Sequence, residues 1–275
     1  MKKLRIACVW WWERAGEIWT NWRDGYRAAW EEISKKHEIN WFLDKHFPDP
    51  SEDWDFVWFW DDSNSSFFQL VDNYKCRKGM SLSTNPQDYD NLKKLDVVFC
   101  ESDPIMELVR PHGIRTIKAF GTDTKFFSPN ELIEKDIPYF YPATFSPWKR
   151  QSDIAYLSSD LLCVGTVQPD GKKELQTCID AHVKIEEGYF PAEKIRDYYR
   201  RAKKVIIPAI HGSERTVLEA MSMNVPVEVT DFHNQKARSY IQEFEASDFE
   251  STRDFVLANY SEKKFAEQLL KGIER

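Results

Sequence analysis

The sequence predicts an α/β protein made of two Rossmann-like, doubly wound parallel-sheet domains. Short, continuous apolar runs alternate with stretches of helical periodicity, the pattern of parallel strands covered on both faces by helices. The alternation restarts near Leu161 after a proline-rich interval, and a restart implies a second sheet. The 275 residues, 42% of them hydrophobic, supply core for one large domain or two modest ones.

The elements follow in chain order. Residues 4–11 (LRIACVWW) read as the first buried strand. A helix follows over 18–36, where Trp19, Trp22, Tyr26, Ala29, Trp30 and Ile33 recur at helical spacing. Further strands are expected at 39–43, 55–60, 97–100 and 116–119, with a helix at 105–110. Residues 128–152 carry Pro129, Pro138, Pro142 and Pro147 among aromatics with little periodicity, and are expected to connect the domains. The second half opens with a strand at 161–164, a helix at 173–182 and a basic helix at 194–204. A strand at 205–210, a helix at 214–223 and a strand at 225–229 come next. Helices at 234–243 and 261–274 close the chain. The expected boundaries are therefore 1–127, a linker at 128–152 and 153–275, with the last helix able to pack back on the first domain.

Composition removes several functions. A net charge of −7 argues against a protein whose main affinity is for nucleic-acid phosphates. The longest apolar runs are far too short to cross a bilayer. The start, MKKLRIACVWWW, runs straight into Glu13 and Arg14 with no cleavage-like stretch, so no signal peptide is read and a cytoplasmic protein is expected. Five cysteines without a CxxC pair read as buried free thiols in a reducing compartment, and no metal site is expected. The basic run Arg196, Arg200, Arg201, Lys203, Lys204 reads as a solvated helix face.

The most informative stretch is residues 205–227, VIIPAIHGSERTVLEAMSMNVPV. A buried strand ends near Pro208, a short polar loop holds His211 and Gly212, and Ser213 is a good N-cap for the helix that follows. Val217, Leu218 and Met221 give that helix its apolar face. Its free N–H groups and positive dipole end would lie at the carboxyl edge of a parallel sheet, where a phosphate binds well. Glu219 sits in the second turn, near enough for its carboxylate to accept two hydrogen bonds from a ribose diol. On pattern alone, a plain strand–helix–strand unit with a solvated Glu219 is an equal reading.

The residue order goes further than the pattern. Pro208-Ala209, the Gly-bearing loop, Leu218-Glu219-Ala220-Met221 and Pro226-Val227 resemble the signature of the family-4-like glycosyltransferases, which have the two-domain GT-B fold. Residues 96–102 (DVVFCES) are similar to that family's strand ending in Ser. Residues 120–129 (FGTDTKFFSP) look like its Gly-x-Asp-x-x-x-Phe-x-Pro, and residues 162–173 (LCVGTVQPDGKK) resemble the Val-Gly-Arg…Lys-Gly segment that opens its C-terminal domain.

The resemblance implies transfer of a sugar from a nucleoside-diphosphate sugar, UDP- or GDP-linked, with retention and without a metal or other cofactor. The acceptor it implies is a glycan, lipid or small molecule; a nucleic-acid acceptor is disfavoured by the acidic charge. In this family the helix Glu binds the donor ribose, which maps to Glu219. Lys172, or Lys173 if the loop shifts by one, pairs with the diphosphate and neutralises charge building on the leaving group. Gly165 and Thr166 open the same loop, and the amides of Gly212, Ser213 and Glu214, beside Thr216, meet the phosphates.

Two positions depart from the family. Its Arg after the strand Gly is Thr166 here, with Arg215 the candidate to replace that cation. Its second Glu, seven residues before the helix Glu, is Gly212 here; Glu214 is the candidate substitute, and His211 a further one. Glu214, Lys172 and Arg215 are thus the expected catalytic set. The departures keep two alternatives in view: an epimerase-like enzyme acting on nucleotide-sugars, and a non-catalytic protein that binds them.

The first half supplies the acceptor-side candidates. Ten of the 11 tryptophans lie in the first 60 residues. Trp19, Trp22, Trp30 and Trp58 read as core or interface. Trp12, Glu13 and Arg14, with Gly16 in the loop behind them, follow the end of the first strand; the GT-B resemblance implies two domains facing a cleft, with this strand end toward it, where aromatic faces stack on sugars. Asp61 and Asp62 follow a later strand as a second edge pair, with a solvated loop the competing reading.

Overall fold

The computed structural model describes residues 2–10, 23–43, 46–61, 68–208, 215–230 and 253–274. The chain divides into two compact units, Met1–Asp123 with Tyr260–Arg275, and Thr124–Asn259. In chain order, the first unit holds β1 (Arg5–Trp10), α1 (Gly25–Ser34), β2 (Glu38–Leu43), β3 (Phe56–Trp60), α2 (Phe68–Val71), β4 (Arg77–Leu82), α3 (Tyr89–Leu92), β5 (Val97–Cys100), α4 (Asp103–Val109) and β6 (Thr116–Lys118). The second holds β7 (Ile137–Pro142), a 3₁₀ segment (Gln151–Asp160), β8 (Leu161–Gly165), α5 (Lys172–Asp180), β9 (Lys184–Glu187), α6 (Ala192–Arg201), β10 (Ala202–Ile207), α7 (Arg215–Ser222), β11 (Val227–Val229) and α8 (Arg253–Asn259). The last helix, α9 (Glu262–Ile273), belongs to the first unit.

Both sheets are wholly parallel. The first runs β2-β1-β3-β4-β5-β6 and the second β11-β10-β7-β8-β9. β1 and β3 are buried almost throughout, which is why their sequences are continuous apolar runs rather than alternating ones. Three strands lie where none was expected. β4 (RKGMSL) is disguised by two charges and a glycine; a Cβ at Gly79 would stand 2.6 Å from the Phe56 ring and 2.9 Å from Val97, so large residues on neighbouring strands fill the space a side chain would need. β9 (KIEE) is a short, charged edge strand, a composition that protects an edge from pairing. β7 lies inside residues 128–152, expected as a linker. Its prolines mask it, yet Phe140 and Tyr141 are fully buried and it is the middle strand of the second sheet.

Two helices also differ from expectation. The basic helix stops at Arg201 because β10 begins at Ala202, so Lys203 and Lys204 are strand residues. The basic side chains are largely engaged within the unit: Arg200 donates to the Ser128 carbonyl, Arg201 pairs with Asp136 at 2.6 Å, and Lys204 with Glu228 at 2.7 Å. The first helix is described from Gly25, where Asp24 caps it by accepting from the Arg27 amide at 2.8 Å. Residues 18–22 and the expected helix at 234–243 lie outside the described residues.

The first core lies between its sheet and the pair α1 and α9. Tyr26, Trp30 and Ile33 from α1 meet Phe265, Leu269 and Ile273 from α9 over Ile6, Cys8, Trp58 and Phe99. Each large side chain so buried is worth about 1.5–3 kcal/mol. Arg77 donates to the carbonyls of Gly272 (2.9 Å) and Ile273 (2.7 Å), placing a cation on the negative end of α9. The Gly-Thr-Asp of residues 121–123 joins these parts. The Thr122 amide donates to Tyr260 O at 2.8 Å, and buried Asp123 pairs with Arg23 at 2.7 Å. Gly25 approaches Gly121 so closely that a Cβ there would stand 1.9 Å from the Gly121 carbonyl oxygen.

In the second unit, Arg253 on α8 donates to Thr124 O (2.8 Å) and Phe127 O (3.0 Å), and the Ser222 hydroxyl donates to Phe127 O at 2.6 Å. Among the described residues no helix is long and apolar enough to cross a membrane.

The five cysteines are free thiols; Cys8, Cys100, Cys163 and Cys178 are buried and Cys76 half-buried. Burial pushes the Cys100 thiol up to about 12 and Cys8 well above its ordinary value. The hydrogen bond it donates to Cys178, with burial, raises Cys163 likewise, and the same bond lowers Cys178. Burial raises the half-buried Cys76 thiol too, so access decides the order: iodoacetamide at pH 8 should label Cys76 first, with the four buried thiols, Cys178 included, reacting only after unfolding, as counted by intact mass. Gly25→Ala should cost about 2–3 kcal/mol in denaturant unfolding, since the contact it strains is with backbone.

Candidate functional site

Strand order locates the candidate site. In the second sheet the chain moves outward through β7, β8 and β9, then returns to the other side of β7 to lay down β10 and β11. The order reverses between β7 and β10, and at such a switch point the loops leaving the carboxyl ends diverge and open a ligand crevice.

The loop leaving β7 is tightly held. The Ala143 amide donates to Val164 O at 3.0 Å, the Phe145 amide to Thr166 O at 2.7 Å, and the Gln168 amide back to Phe145 O at 3.1 Å. The loop thus continues the parallel pairing with β8 beyond the end of the strand. Fully buried Gln151 donates from Nε2 to Thr144 O at 2.9 Å, and the Thr144 and Thr166 hydroxyls are 3.1 Å apart. Gly165 and Gly171 allow this approach: a Cβ would stand 2.3 Å from Ala143 O at the first and 2.0 Å from Phe145 O at the second.

Gly171 also caps α5, with no side-chain hydrogen bond at the cap. Lys172 and Lys173 occupy the first two helical positions and are exposed. Two cations at the positive end of a helix oppose its dipole, so together with the unbonded amides they make an end that attracts anions. Glu174, next in line, accepts from the Ser152 amide at 2.7 Å.

On the other side of the switch point, α7 buries Val217, Leu218, Ala220 and Met221. Arg215, Thr216 and Glu219 are half-buried on its remaining face. Glu219 Oε2 accepts a hydrogen bond from the Tyr199 hydroxyl on α6 at 2.8 Å. His211, Gly212, Ser213 and Glu214 lie outside the described residues. The structure therefore places Gly165, Thr166, Lys172 and Lys173 on the loop and helix after β8, and Arg215, Thr216 and Glu219 on the helix after β10.

Sequence reasoning passed over the loop after β7, with Thr144 and half-buried Lys149. The Tyr141 hydroxyl donates to Lys149 O at 3.1 Å, fixing that residue's backbone. The signal was present: Tyr139-Phe140-Tyr141 followed by a polar turn reads as a strand and its exit loop once the flanking prolines are allowed at the strand's ends.

The first sheet has its own reversal, between β1 and β3. Their last residues, Trp10 and Trp60, stack with centroids 5.2 Å apart. Asp61 follows in a left-handed conformation, φ 60°, which aspartate tolerates better than most residues. Its amide donates to Ser81 O at 2.8 Å, and its carboxylate accepts from the Ser83 hydroxyl at 3.4 Å. Asp62, Trp12, Glu13, Arg14 and Gly16 lie outside the described residues.

No family model matches the chain, and no curated protein sequence matches it. Solved structures do. A glycosyltransferase from Rickettsia africae ESF-5 superposes with a TM-score of 0.67 at 14% identity, over 100% of this chain and 98% of that one. AviGT4, a glycosyltransferase involved in avilamycin A biosynthesis, gives 0.69 at 15% identity over 99% and 97%. A putative UDP-N-acetylglucosamine 2-epimerase from Listeria monocytogenes gives 0.52 at 12% identity over 97% and 91%. The chain has the α/β fold of the GT-B glycosyltransferases.

The close contact at Gly171 gives a local prediction. Gly171→Ala should part the β7 loop from the start of α5 and speed hydrogen exchange at the Phe145 and Gln168 amides, read by mass spectrometry or NMR.

Proposed function

We propose that the protein transfers a sugar from a nucleoside-diphosphate sugar to an acceptor, with the donor held at the carboxyl edge of the second sheet. The observation that carries the reading is Glu219, held on the helix that follows β10 at the switch point. There its carboxylate accepts from the ribose diol, while the N-terminal end of α7 faces the diphosphate. Lys172 or Lys173 at the head of α5, Arg215 on α7 and Lys149 on the β7 loop supply cations for the charge that builds on the departing diphosphate. In this reading side-chain cations, not a metal, perform that task. Gly212, Ser213 and Glu214 complete the phosphate and sugar contacts, with His211 beside them, and Asp61 is an acceptor-side group of the first unit. UDP and GDP donors, and a glycan, lipid or small-molecule acceptor, fit this chemistry.

Calorimetric titration with UDP, GDP, ADP, CDP and their sugars tests the reading. One nucleotide should bind the wild type and bind Glu219→Ala at least tenfold more weakly, a loss typical of charge-assisted hydrogen bonds. Failure of every nucleotide to bind would overturn the proposal. Turnover of the sugar nucleotide without any acceptor would point instead to epimerase-like chemistry, which the same fold also hosts.

A further inference from the structure

Resting on that donor-site reading, we infer that Tyr199 is the positioning residue for Glu219, fixing its carboxylate before a nucleotide arrives. Tyr199 lies on α6, an element the sequence offered only as a basic helix, and its side chain is fully buried. Phe140 on β7 meets its ring edge-on at 5.2 Å and 86°, and Phe127 does so at 6.1 Å and 89°. The ring is therefore set by the middle strand of the sheet. Its hydroxyl donates to Glu219 Oε2 at 2.8 Å.

Three physical points make this more than packing. Phenylalanine would fill the same space without bringing a hydroxyl out of water, so the hydroxyl is there for its partner. A helix glutamate serving only solubility gains nothing from a buried phenol, whereas one that must grip a diol gains preorganisation. With Oε2 anchored, the plane of the carboxylate is set in advance, and the rotamer freedom of a glutamate is spent in folding rather than in binding. A hydrogen bond to a charged acceptor is also among the stronger kinds available.

The test separates this role from the donor site itself. UDP, GDP, ADP and CDP are titrated beside their 2′,3′-dideoxy forms into wild type, Tyr199→Phe, Glu219→Gln and the double variant. Tyr199→Phe should weaken the preferred ribonucleotide about three- to tenfold and leave its dideoxy form unchanged. It should add nothing in the Glu219→Gln background, since the two groups act as one. Equal weakening of both forms would mark a packing role and overturn the inference. So would wild-type binding by Tyr199→Phe when Glu219→Gln has lost the preference for ribose hydroxyls. If the wild type shows no such preference, or Glu219→Gln leaves it intact, the donor-site reading fails and takes this inference with it.

Discussion

The pairing of β7 between β10 and β8 is the constraint on which the second unit depends. A parallel strand with neighbours laid down before and after the chain's reversal sends its exit loop to one side, here against β8, and a sheet of this order binds ligands at such a switch point. The rest is what it takes to hold that geometry still. Gly165 and Gly171 let the exit loop of β7 lie against β8 and α5 at backbone contact. Gln151 ties two of its carbonyls from below. Phe140, a β7 residue, braces the ring that holds Glu219. The same strand thus positions groups on both sides of the switch point.

Glycine plays a different part here from the one its motifs suggest. In the stretch from Leu162 to Lys173, Gly165 and Gly171 are pressed against carbonyl oxygens of the neighbouring loop, so their first role is to let two pieces of backbone meet. Gly121 does the same for the first unit, beside Gly25, and Asp123 two residues on is consumed by Arg23. These residues build the frame of each unit.

The sequence was most readable where strands are buried on both faces. β3, β5, β1 beyond Arg5 and β10 beyond Lys204 are continuous apolar runs, and burial is what makes them so. It was least readable where composition answers to a neighbour. Gly79 in β4 is small because Phe56, Val97 and Phe99 are not. The charges of β9 suit an edge, and Pro138 and Pro142 lie at the ends of β7. The helix bearing Glu219 was legible through its apolar face and its resemblance to a known family. Tyr199 was not, because nothing local to α6 reveals that its hydroxyl meets a residue twenty positions on.

The chain leaves the first unit at Asp123 and returns to it at Tyr260, bringing Phe265, Leu269 and Ile273 to the core around Trp30 and Trp58. Synthesis runs in one direction, so every residue of the second unit is made before the helix that closes the first. Until α9 emerges from the ribosome, one face of the six-stranded sheet stays partly uncovered, with aromatic residues that invite association or a chaperone's shelter. The domain that is begun first is the one completed last.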